Sequence, residues 1–73
     1  MFTYTFTIII FLFGSNSAVQ HTTFTGTVEA DRYSTACVRA WELISAECKR
    51  LSEETGHRAA TAEFRVDRVD NPN

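Results

Sequence analysis

From Phe2 to Ile8 the chain alternates strictly, with Phe2, Tyr4, Phe6 and Ile8 on one side and Thr3, Thr5 and Thr7 on the other. Aromatic and β-branched residues at that period predict a half-buried strand, which continues through Ile9-Ile10-Phe11-Leu12-Phe13. Ile10 and Leu12 extend the buried side. Ile9, Phe11 and Phe13 fall on the threonine side. Gly14-Ser15-Asn16-Ser17 is turn chemistry, with a loop expected as far as Gln20. A second alternating run over 22–30 places Phe24, Gly26, Val28 and Ala30 on one face and Thr23, Thr25, Thr27 and Glu29 on the other. Gly26 in mid-strand signals a bulge or a close approach by a neighbouring side chain or helix.

The period then changes. Tyr33, Cys37, Ala40, Ile44, Cys48 and Leu51 recur every three or four residues, which predicts a helix over about 32–55 with one apolar stripe. Ala36 widens the stripe, and Trp41 and Leu43 lie on its margins. Asp31 is expected to cap its start and Gly56 to close it in a left-handed conformation. A third strand over 58–69 would turn Ala60, Ala62, Phe64 and Val66 inward and Thr61, Glu63, Arg65 and Asp67 outward, ahead of a polar tail, 70–73. A right-handed crossover makes the third strand parallel to the second, with the first antiparallel between them. The expectation is a single α+β domain: a three-stranded antiparallel or mixed sheet, in β-β-α-β order, with one helix on one face.

One helix covers one face only. The other carries Thr3, Thr5, Thr7, Thr23, Thr25, Thr27 and Thr61 at one end and Ile9, Phe11 and Phe13 at the other. Three such apolar side chains expose roughly 300–500 Å², near the upper range for the patches of a soluble monomer. Two readings follow: the loop 14–20 folds over them, or the face associates with a copy of the chain or with a target. The second reading takes Ile9, Phe11 and Phe13 as anchors, with Thr7 and Thr25 beside them and Arg65 at the rim.

At 73 residues the chain stands near the lower limit for a core without metal or cross-links. A net charge of −2 gives no field that recruits nucleic acid or anionic lipid. Cys37 and Cys48 lie roughly 16 Å apart along one helix, too far for a disulfide, which fits a reducing cytoplasm. A cleaved leader is the competing view of residues 6–18, but no Lys or Arg precedes Arg32 and the threonine alternation serves a strand. The apolar run is about half the length of a membrane span.

No nucleophile–base–acid set, phosphate-binding glycine loop or carboxylate pair is visible, so neither catalysis nor a cofactor is expected. His21, His57 and Cys48 would gather at one end of the sheet, but their spacing matches no compact zinc motif, and no metal is expected. Arg58, Arg65 and Arg68 suggest a nucleic-acid strand, although Glu63 and Asp67 interleave with them.

The run Phe24-x-Gly26-x-Val28-Glu29-Ala30, leading straight into an alanine-containing helix, resembles small uncharacterised proteins of bacteria and phages. It is also similar to small phage-encoded anti-CRISPR proteins, in which a strand ending in Glu-Ala enters a helix packed on an antiparallel sheet. That resemblance spans residues 22–69 and implies a non-catalytic inhibitor that occupies a surface on a larger protein. It carries no site residues across. The alternatives are a nucleic-acid-binding module built on the third-strand arginines and a small homo-oligomeric assembly protein.

Overall fold

The computed structural model describes residues 1–14 and 19–69. Strand β1 (Phe2–Phe13) is followed by β2 (Val19–Ala30), helix α1 (Tyr33–Thr55) and β3 (Arg58–Val69). The strand order is β2-β1-β3, and β1 runs antiparallel to both neighbours. The most apolar strand therefore takes the centre, where both edges of its backbone are hydrogen-bonded. Twelve-residue strands make a long, narrow body of 50 × 16 × 16 Å. Its radius of gyration is 14.1 Å, against about 11 Å for a compact chain of this length.

The alternation in β1 divides the two faces as its sequence predicts. Tyr4, Phe6, Ile8, Ile10 and Leu12 are buried beneath α1, where they meet Ala36, Ala40 and Ile44 from the helix. Small residues at 36 and 40 let the helix backbone come close to the sheet, and Ile44 is its one large, fully buried side chain. Cys37, Cys48 and Leu51 are half-buried around this core, while Tyr33 stands mostly in solvent with its ring edge towards Tyr4.

Gly26 lies opposite Phe6, and a Cβ at that position would stand 2.7 Å from the Phe6 ring. The missing side chain is the space that the ring occupies. β2 remains regular there, so Gly26 serves a close approach and not a bulge.

Four expectations need correction. β2 begins at Val19, because the ladder extends to Phe13↔Val19, Leu12↔Gln20 and Phe11↔His21. Residues 19 and 20 thus belong to the sheet and do not fold over its face; of the turn expected over Gly14–Ser17 residues 15–17, together with residue 18 and the expected tail 70–73, lie outside the described residues. Asp31 does not cap the helix: Arg32 occupies that position without a side-chain hydrogen bond, and Asp31, one residue too early, lies 3.7 Å from the terminal ammonium of Met1. The other end closes as expected, with Gly56 at φ 72° and its N–H donating to the Ser52 carbonyl at 2.8 Å.

The two remaining corrections concern β3. Thr7 pairs with Arg65 but Ile9 pairs with Ala62, so Ile8 faces two residues, Glu63 and Phe64. This β-bulge inverts the alternation. Phe64 and Val66 keep their helix-facing places, whereas Ala60 and Ala62, paired with Phe11 and Ile9, turn to the open face. Thr61, opposite Ile10, moves the other way and leaves the threonine field. Glu63 itself sits at φ 58°, a left-handed position that glycine usually fills. Glu63→Gly is expected to raise stability by about 0.5–1 kcal/mol, the relief exceeding the entropy that glycine adds to the unfolded chain. Glu63→Val should lower it, since a branched Cβ suits that region least. Urea midpoints of the two variants test the sign.

Candidate functional site

The open face of the sheet is built from alternate residues of three strands. Its central row is Thr3, Thr5, Thr7, Ile9, Phe11 and Phe13. β2 adds Glu29, Thr27, Thr25, Thr23, His21 and Val19 beside them in that order. β3 contributes Val69, Asp67 and Arg65 next to Thr3, Thr5 and Thr7, then Ala62, Ala60 and Arg58 next to Ile9, Phe11 and Phe13. The bulge therefore separates two chemistries. One half is threonine with charged edges; the other is apolar and floored by alanine.

Ile9 and Phe11 are half-buried by their neighbours, with the Phe11 ring 6.0 Å from that of His21. Phe13 is 45% exposed and Val19 54%. A pocket of about 360 Å³ opens at this end between Phe13, Arg58, Ala59 and Ala60. Only small side chains on β3 leave that room, and Arg58 supplies its single cation. The anchors expected from the sequence thus lie together in one row. Thr7 and Arg65 face each other at the border of the two halves, and Thr25 pairs with Thr7 from β2. The pocket wraps the edge of β3, since Ala60, opposite Phe11, is on the open face and Ala59, opposite Leu12, is on the helix face.

A second apolar surface lies across the body. Cys37, Val38, Trp41 and Phe64 line an open groove of about 310 Å³, with the Trp41 and Phe64 rings 5.2 Å apart. It joins one flank of α1 to β3. The sequence signal for it is the placement of Val38 and Trp41 outside the centre of the apolar stripe.

The arginines of β3 do not form one surface. Arg58 and Arg65 are on the open face, six ladder positions or roughly 20 Å apart. Arg68, opposite Tyr4, is on the helix face with its guanidinium 4.0 Å above the Phe2 ring. The histidines diverge as well. His21 is on the open face against Phe11, whereas His57 sits in the turn between α1 and β3, where its N–H donates to Thr55 Oγ1 and its carbonyl accepts from Ser52 Oγ. Among the described residues no three His, Cys, Asp or Glu side chains stand close enough to hold a metal ion.

Several titratable groups of α1 are tied to their neighbours along the helix. Arg50 donates to both carboxylate oxygens of Glu47, at 2.9 and 2.7 Å, and also to Glu54. The hydrogen bonds from Arg50 keep the Glu47 carboxyl below the usual carboxylate range. Burial pushes the Cys48 thiol up, away from the thiolate that nucleophilic chemistry requires. Hydrogen bonding with Cys37 raises Tyr33. Both cysteines are free. Among the described residues no helix is long and apolar enough to cross a membrane. No protein-family model, curated protein or solved structure matches this chain.

Proposed function

We propose that the chain is a non-catalytic protein-interaction module whose apolar half-face takes up the surface of a protein partner. One observation carries the reading: Ile9, Phe11 and Phe13 form a continuous row on a face without a helix, and the bulge in β3 sets Ala60 and Ala62 beside them. Flat aromatic and aliphatic surface with a small adjacent pocket suits an apolar side chain of the partner. Arg58 and Arg65 at its borders favour an acidic neighbour there. The arrangement offers a contact and no reacting group, so the module acts by occupation, in the manner of the small phage inhibitors that its strand-to-helix step resembles. Free cysteines fit action in a reducing cytoplasm.

The test is site-specific photo-cross-linking from position 13, with benzoylphenylalanine placed there in cells that make the protein. Adducts with another protein are expected from position 13 and not from position 49 on the outer side of α1. Phe11→Asp, verified as folded by circular dichroism, should reduce them at least tenfold. Adducts from position 49 alone, or an unchanged yield in Phe11→Asp, would overturn the reading. An adduct of twice the chain's own mass that maps to Ile9, Phe11 or Phe13 of the second copy would assign the face to self-association.

A further inference from the structure

The two edges of the sheet are treated very differently. Along β3 the edge is interrupted by the bulge at Glu63 and carries Arg58, Glu63, Arg65, Asp67 and Arg68. Bulges and charges of this kind keep an edge from pairing with other chains. β2 has no such guard. It runs twelve residues without a register shift, holds no proline, and carries no Asp, Glu, Lys or Arg between Val19 and Val28. On its outer side, alternate backbone N–H and C=O groups point away from β1 along the whole strand.

We infer that β2 pairs with β2 of a second copy, antiparallel about a two-fold axis at Phe24, to make a six-stranded sheet. A two-fold antiparallel pairing sets one residue opposite itself and leaves both helices on the same face. Centred on Phe24, it aligns residues 19–29 of both copies, a contact of roughly 37 Å. Thr23 then meets Thr25 of the second copy, His21 meets Thr27, and Val19 meets Glu29. No like charges are opposed anywhere along the seam. Threonine opposite threonine and phenylalanine opposite phenylalanine are both favourable cross-strand pairs. Centring on Thr25 instead would drive Phe24 towards Gly26 of the other copy, where the Phe6 ring already fills the space.

Side chains on the helix face agree with that arrangement. Phe24 rests edge-on against Phe6, with ring centroids 5.5 Å apart, and is only half-buried. Arg39 donates to the Glu29 carbonyl, which fixes the flank of α1 that leans over β2. Leu43, one turn further on, shares that flank and is 46% exposed. With β1 and its counterpart three strand spacings apart, about 14 Å, the two helices leave a trough between them. The paired Phe24 rings floor that trough and the two Leu43 side chains face into it. A β2–β3 pairing, by contrast, would be head-to-tail and would bring the guarded edge into every contact.

The experiment uses the full chain in solution, with mass measured by light scattering over a hundredfold dilution. It is combined with nuclear Overhauser spectra of a mixture of isotope-labelled and unlabelled protein. A dimer is expected, with intermolecular contacts between Thr23 and Thr25. The alternate β2 amides not bonded to β1 should exchange at least tenfold more slowly in the dimer than at the highest dilution. A monomer at every concentration would overturn the inference. So would a dimer whose intermolecular contacts join Ile9, Phe11 and Phe13, or one in which those edge amides remain unprotected. The cross-linking test reads the open face and does not depend on this outcome.

Discussion

Phe6→Ala is expected to remove about 3–5 kcal/mol, a large part of the stability of the chain, and to move its urea midpoint down accordingly. A domain of 73 residues at the usual 0.05–0.15 kcal/mol per residue has about 4–11 kcal/mol of stability. Truncating a fully buried phenylalanine removes about 3–5 kcal/mol. Phe6 is 1% exposed and bridges both neighbouring strands: it covers Gly26 and meets the Phe24 ring on β2, and it pairs with Val66 on β3. Gly26 has no side chain to move into the void, so on the β2 side only the Phe24 ring can shift towards it. Far-UV circular dichroism against urea reads the loss. A transition within about 1 kcal/mol of the parent would show that Phe6 is replaceable and that the Gly26 contact is incidental.

Ile44→Ala is the second large expected loss, about 2–5 kcal/mol. The helix reaches the core with Ala36, Ala40 and Ile44, and only Ile44 supplies substantial buried volume. The remaining helix contacts, Cys37, Cys48 and Leu51, are peripheral. Since about 1 kcal/mol shifts the melting temperature of a domain this size by 4–8 °C, Tm should fall by at least about 8 °C. Helix and sheet should still melt together, because the isolated sheet has no other cover for Ile8 and Ile10. A separate, earlier loss of the helical signal would mean that α1 docks as an independent unit.

The central strand and the helix were legible because each obeys a single period over many residues. Strict alternation from Phe2 to Ile8, carried on in register to Phe13, set the order of burial and placed Ile9, Phe11 and Phe13 on the open face. The β3 bulge was not legible. Ala60, Ala62, Phe64 and Val66 form an unbroken apolar alternation, yet alanine gains too little from burial to hold the register, and the bulge carries glutamate where glycine would have announced it. The start of β2 is not legible because Val19, a strand former, stands alone between turn residues and Gln20-His21, and pairing with Leu12 and Phe13 decides the conformation. Asp31 has the right chemistry for a cap, but the helix begins one residue too late to use it.

The central position of β1 also bears on how the chain reaches its fold. β1 is synthesised before both of its neighbours, and β3 follows it only after β2 and α1: Thr3 pairs with Val69. The β1–β2 hairpin can form early, but half of the β1 backbone must wait for β3. During synthesis Ile8, Ile10 and Leu12 have no helix over them and no third strand beside them. Pairings this distant in sequence slow folding, and they prolong the interval in which an apolar strand is open to other chains. Threonine at every second position in the first half of β1 limits how much of that strand is sticky in the interval. Its second half, Ile8 to Phe13, has no such interruption and is where misassembly of nascent chains would begin.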